Sequence, residues 1–96
     1  MLQLRDVIVQ FLALAGRRGL NKTVLTKLVY FAEIESWSAF SRPLTGTSFY
    51  RYHYGAWSPA VADVAAMHSA VEADERLAYG AYPETRYRLR EDVPLP

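Results

Sequence analysis

Cysteine is absent from this chain, which removes disulfide staples and thiolate metal sites from consideration together. Histidine is nearly absent. His53 and His68 are the only two, and neither has a partner at the His-x-x-x-His spacing that sets two imidazoles on one helix face. An excess of one charge is missing as well. Eleven basic against ten acidic side chains leave a formal net charge of +1, too little for a bulk field to hold the protein on a polyanion. Long apolar runs are lacking: the richest, Val24 to Ile34, contains Lys27 and Glu33 and is too short to span a bilayer. The stretch from Val7 to Ala15 has the look of a signal-peptide core, but Gln10 interrupts it. Gln3, Asp6, Gln10, Ala13 and Arg17 recur at three- and four-residue steps, the wet face of a structural helix and not an export signal. A cytoplasmic protein without a membrane segment is the expectation.

Apolar residues make up 51% of the 96 positions and charged residues 22%, a balance that argues for a packed globule over disorder. Residues 1–96 are expected to form one domain, burying roughly 60–65% of the unfolded surface. Seven Tyr, four Phe and two Trp are a heavy aromatic load for so small a core. Tyr in particular suits half-wet positions at a surface or interface.

The periodicity predicts an α+β fold: a compact, mainly helical domain of three main helices, with a short extended segment and a C-terminal β-hairpin. Helix one is expected from about Gln3 to Arg17, with Val7, Ile8, Phe11, Leu12 and Leu14 facing inward and Gly16 and Gly19 as left-handed stops. Asn21 is the N-cap candidate for helix two, which continues to about Phe40. Its apolar residues cover more than one stripe, so neighbours are expected around most of its circumference. Pro43 and Gly46 open a loop. From Phe49 to Tyr54 the pattern has period two, an extended segment. Gly55 turns the chain, Ser58 caps, and Pro59 starts helix three, which runs to about Val71 and buries Val61, Val64, Ala65 and Met67. Glu75–Tyr82 and Thr85–Arg90 read as two strands joined around Pro83-Glu84. Leu77 and Tyr79 would then face Tyr87 and Leu89, and Arg86, Arg88 and Arg90 would alternate onto the wet side.

No constellation in the sequence supports catalysis. Ser58 lacks a glycine elbow, and Glu33 and Glu35, two apart on a helix, point to different sides. No phosphate-cradling glycine loop is present. No enzyme activity and no cofactor are therefore expected. His68 reads as a boundary histidine and His53 as a surface residue beside Arg51. The arginine alternation at 86, 88 and 90 resembles the wing of a winged helix reaching phosphates. Against it, some seventeen residues separate helices two and three, where a helix-turn-helix has a tight turn, and charge also protects an exposed sheet edge. Nucleic acid is thus a secondary partner class. Tyr30, Trp37, Tyr50, Tyr52, Tyr54 and Trp57 come from neighbouring segments that could converge at the end of helix two. Tyr, Trp and Arg are the residue types that most often anchor protein interfaces. The candidate partner surface is therefore Tyr30, Trp37, Arg51, Tyr52, His53, Trp57, Arg86, Arg88 and Arg90. The competing reading is that most of the rings are core.

Three pieces in order carry a family likeness: Lys27-Leu28-Val29-Tyr30-Phe31-Ala32-Glu33, Arg42-Pro43-Leu44-Thr45-Gly46, and Tyr54-Gly55-Ala56-Trp57-Ser58-Pro59. Together they resemble the Panacea antitoxin domain of the SocA-like proteins, with its K-L-x-Y-x-A helix, P-L-x-G loop and Y-G-P element. Lys27, Leu28, Tyr30 and Ala32 match the helix motif, Pro43, Leu44 and Gly46 the loop, and Tyr54 and Gly55 the turn. Ala56 stands at the place of the element's proline. The resemblance implies a prokaryotic or phage antitoxin-type module that neutralises a protein toxin by direct contact, in some members as an adaptor to a protease. A DNA-binding regulator and a structural homodimer are the alternative readings.

Overall fold

The computed structural model describes residues 1–52, 55–78 and 82–92. Its α+β architecture runs α1 (Leu4–Ala15), a 3-10 turn (Gly16–Arg18), β1 (Leu20–Asn21), α2 (Lys22–Phe40), β2 (Tyr50–Tyr52), β3 (Gly55–Trp57), α3 (Pro59–Met67), β4 (Val71–Ala78) and β5 (Tyr82–Leu89). Strands β1, β5 and β4 form an antiparallel sheet in that order, and β2 pairs with β3 in a separate hairpin. Ile8 and Leu12 of α1, Leu25 and Val29 of α2, and Val61 and Ala65 of α3 meet Val71, Tyr87 and Leu89 of the sheet in one buried cluster. Burial, with Glu75 and Asp63 nearby, pushes the Tyr87 phenol above its ordinary pKa.

Asn21 joins these parts. Extended backbone lets it pair with Arg86 across to β5, while its Oδ1 accepts from the Val24 N–H at 2.8 Å and caps α2. Its Nδ2 donates to Glu84 at 3.1 Å, so one side chain ties the start of α2 to the central strand. Just before it, Gly19 takes φ +70°, and a Cβ there would stand 2.2 Å from the Tyr87 carbonyl oxygen. Only glycine allows β5 to approach this closely. The far end of α2 stops at Ser41, in left-handed backbone with its N–H donating to the Trp37 carbonyl. The helix thus closes before Pro43 is reached.

Several expectations need correction. Leu14 is 83% exposed and Met67 86% exposed, because α1 and α3 each present one stripe to a thin core and these residues lie off it. Helix α3 ends at Met67, and Val71 opens β4. His68 leaves the helical region, and its Nδ1 accepts from the Ala70 N–H at 3.0 Å. The C-terminal hairpin is shifted in register: Tyr87 faces Ala73 and Leu89 faces Val71, while Leu77 faces Pro83. The paired residues therefore extend to Ala78 and Tyr82, and Tyr79 lies outside the described residues. Pro83 and Glu84 sit inside β5. The Pro83 nitrogen, having no hydrogen to donate, is tolerated at the second residue of β5, outside the stretch that β1 pairs with. Ser58 occupies the N-cap position of α3, but its side chain makes no capping bond. Its Oγ is buried without a partner among the described residues, and nothing in the structure explains why. Helix α2 is not wrapped on most sides. Val24, Phe31, Ile34, Trp37 and Phe40 are all substantially exposed, because sheet and helices cover only the side of Leu25 and Val29.

Candidate interaction surface

Helix α2 carries the first motif segment and holds the other two, and the stretch between them, each by a different contact. Near its start, the Lys27 stem lies beside the Gly55 backbone, 3.8 Å from where a Cβ would stand. Gly55 adopts φ +114°, a conformation that L side chains avoid. Lys22, Thr23, Thr26 and Lys27 of the helix and Gly55, Ala56 and Trp57 of β3 enclose a recess of about 180 Å³. One turn on, the Tyr30 ring meets Phe49 edge-on at 5.2 Å, which anchors the strand leading into β2.

The third contact is ionic. Glu33 is buried, and its two carboxylate oxygens accept from the backbone N–H groups of Leu44 (2.9 Å) and Thr45 (2.7 Å). The Thr45 hydroxyl also donates to it. A carboxylate bonded by two backbone amides and a hydroxyl holds the Pro43–Gly46 loop as an anion-binding turn, with the anion supplied by the helix. Burial pushes the Glu33 carboxyl up. Bonds from the Thr45 hydroxyl and from backbone N–H groups of Thr45, Leu44 and Thr47 outweigh it and leave the group below its ordinary value. Ser36, one turn later, donates to the Arg42 carbonyl at 2.7 Å. Sequence reasoning missed Glu33 by weighing it only as half of a carboxylate pair. The available signal was its position one residue past the K-L-x-Y-x-A motif, amid apolar neighbours on an otherwise buried helix side.

The aromatic residues do not all converge at the end of α2. The β2–β3 hairpin lies along the first half of the helix, because Gly55 and Ala56 pack beside Lys27 and Thr26. There Tyr50 faces Trp57 across the ladder; both are exposed, as is Arg51. Tyr30 is half-buried beneath them. Trp37 stands seven residues further, about 10 Å along the helix, with Phe40. The Arg42 guanidinium lies over the Phe40 ring at 5.9 Å. Tyr52 is in β2, opposite Gly55; His53 and Tyr54 lie outside the described residues.

The three sheet arginines are occupied within the fold. Arg88 reaches Glu72 at 3.1 Å and Asp74 at 3.5 Å. Arg86 bonds the carbonyls of Arg18 and Gly19 and the carboxylate of Glu84. Arg90 donates to the Ser69 carbonyl at 2.9 Å. Carboxylates thus stand beside Arg86 and Arg88, while Arg90, among the described residues, is held by a carbonyl alone. Among the described residues no three His, Asp or Glu side chains gather as a metal site, and no helix is long and apolar enough to cross a membrane.

The family model described as antitoxin SocA-like, Panacea domain matches residues 25–93, a span that runs from the first buried residue of α2 through both hairpins. No curated protein and no solved structure matches the chain.

Proposed function

The chain belongs to the SocA-like Panacea family of antitoxin domains, and from that premise we propose that it neutralises a protein toxin by covering it. The observation that carries this reading is the placement of Tyr50, Trp57 and Arg51 on a hairpin pinned to α2 by Tyr30 and Phe49. Exposed rings held on a fixed frame lose little conformational freedom on binding, which is what interface anchors require. Trp37, exposed further along α2, extends the surface, and Tyr52, a residue of the same strand as Tyr50, is a further candidate anchor. The mechanism is steric and non-catalytic, and it operates in the cytoplasm of a prokaryote, encoded there by the cell or by a phage. Delivery of the captured toxin to a protease is an added step in this reading, and the adaptor would hold the toxin through the same surface.

The test is rescue of growth in cells expressing the cognate toxin, with Trp57→Ala and Tyr50→Ala variants first confirmed as folded by circular dichroism. Truncating a central aromatic anchor costs about 2 kcal/mol or more, roughly a thirtyfold loss of affinity. Folded variants that rescue as well as the wild type move the toxin contact off the hairpin. A toxin whose half-life is unchanged by the antitoxin separates simple capture from protease delivery.

A further inference from the structure

One face of α2 is left largely open by the core and the hairpin, which touches it only at the Lys27 stem beside Gly55. Val24, Lys27, Phe31, Ile34 and Ser38 follow one another at alternating steps of three and four, the spacing of a seam between two helices. All five are exposed, Phe31 at 57%. They lie on the side of the helix away from Leu25 and Val29, which enter the core. The β2–β3 hairpin flanks the seam on one side, beside Lys22, Thr26 and Lys27. The 42–44 loop flanks it on the other, beside Ala32, Ser36 and Ala39. Two exposed charged residues border the seam, and neither Lys27 nor Glu35 makes an ion pair or hydrogen bond among the described residues.

The order of these residues is self-complementary. Lys27 stands four positions before Phe31, and Glu35 four positions after it. In an antiparallel pair of such helices with the two-fold axis beside Phe31, each Lys27 faces the other copy's Glu35. Phe31 then sits at the axis, with Ile34 next to it. A parallel pair would set lysine against lysine and glutamate against glutamate. An isologous contact is the kind that a single surface can make with itself, and the sign pattern selects one direction for it.

We propose that this face is the self-association surface of the protein, an antiparallel α2–α2 contact with a second copy of the chain. It is independent of the toxin reading, which rests on the hairpin. The nineteen-residue helix is about 28 Å long and about 10 Å wide. That footprint is well below the roughly 800 Å² per partner of a stable interface, so the dimer is weak and exchanging, with a dissociation constant in the micromolar range.

The experiment is analytical ultracentrifugation of the purified protein over a hundredfold concentration range, with three variants. Phe31→Glu abolishes the dimer while leaving the circular dichroism spectrum unchanged. Lys27→Glu and Glu35→Lys each convert both cross-helix pairs from attraction to repulsion, and each weakens association about tenfold. Mixing those two variants restores it. One chain then carries two acids and the other two bases, and both facing pairs become opposite in charge again. Weakening by each variant alone, together with a mixture that returns to the wild-type affinity and does not exceed it, establishes the antiparallel register, because a parallel wild type would already be repulsive and its mixture would bind more tightly than it does. A wild type that is monomeric throughout the range overturns the proposal, as does a dimer indifferent to Phe31→Glu or a mixture as weak as its components.

Discussion

Replacing Glu33 by Gln tests how much of the motif architecture rests on one buried carboxylate. Glu33 accepts from two backbone N–H groups, Leu44 on one oxygen and Thr45 on the other, and from the Thr45 hydroxyl. Glutamine is the same size but offers a single acceptor oxygen. Whichever way the amide is turned, its NH2 group confronts one of the backbone donors. A hydrogen bond to a charged group contributes about 1.5–3 kcal/mol, and a buried donor left facing another donor costs about as much again. Half-exposure of Leu44 and Thr45 lets water recover part of that, so a net loss of about 2–3 kcal/mol follows. At about 4–8 °C per kcal/mol for a domain of this size, the melting temperature falls by about 10–20 °C.

The pH dependence gives an independent reading of the same site. The folded-state pKa of Glu33 lies below its ordinary value of 4.5. Its contribution is therefore fully present above that value and is lost as pH falls through the lower folded pKa. Glutamine does not titrate. The stability difference between wild type and Glu33→Gln should thus be constant from pH 7 to about 5 and shrink progressively below about 4. Urea unfolding followed by circular dichroism at four or five pH values measures both quantities. A melting shift under about 4 °C, or a difference that stays constant down to pH 3, would refute the claim that the carboxylate organises the loop.

Other expectations concern the frame around the site. Gly19→Ala forces a Cβ against the Tyr87 carbonyl in left-handed backbone and should cost about 2–4 kcal/mol. Gly16→Ala, at a similar φ but with open space around it, should cost only about 1 kcal/mol. Equal losses for the two in thermal melts would mean that close strand approach is not what Gly19 provides. Asn21→Ala removes the α2 cap and the bond to Glu84, for about 1–2 kcal/mol. Ser at that position restores the cap alone, so denaturant titration of the pair apportions the two bonds.

The elements were legible wherever a local signal decided them. Asn21 before a helical run, glycine at 19 and proline at 59 mark boundaries by local chemistry, and the structure uses each. Positions decided by distant partners were not. Nothing in the segment around Leu20 announces a two-residue strand, because its pairing partner is Tyr87. The hairpin register slipped because Pro83-Glu84 is the strongest turn signal in its neighbourhood, while Val71, which anchors the observed register opposite Leu89, continues the apolar spacing of α3. Phe31 and Ile34 read as core from their hydrophobicity alone; only the placement of sheet and helices on one side of α2 leaves them outside. Glu33 shows the converse. A charged residue reads as surface until the loop that satisfies it is in place.

Asn21 and Glu84 lie 63 residues apart in sequence, and that separation bears on the order in which the protein matures. The start of α2 is completed only when β5 arrives, and β5 is the last element of the chain described here. During synthesis α1 and α2 emerge long before the strand that borders them, so a nascent chain that has not yet reached residue 84 has α2 capped by Asn21 but lacks the tie from that side chain to Glu84. Long-range closure of this kind slows folding relative to a purely helical bundle of the same length. The anchoring of α2 to the sheet is therefore tied to translation through residue 84, a dependence that local helix propensity alone would not create.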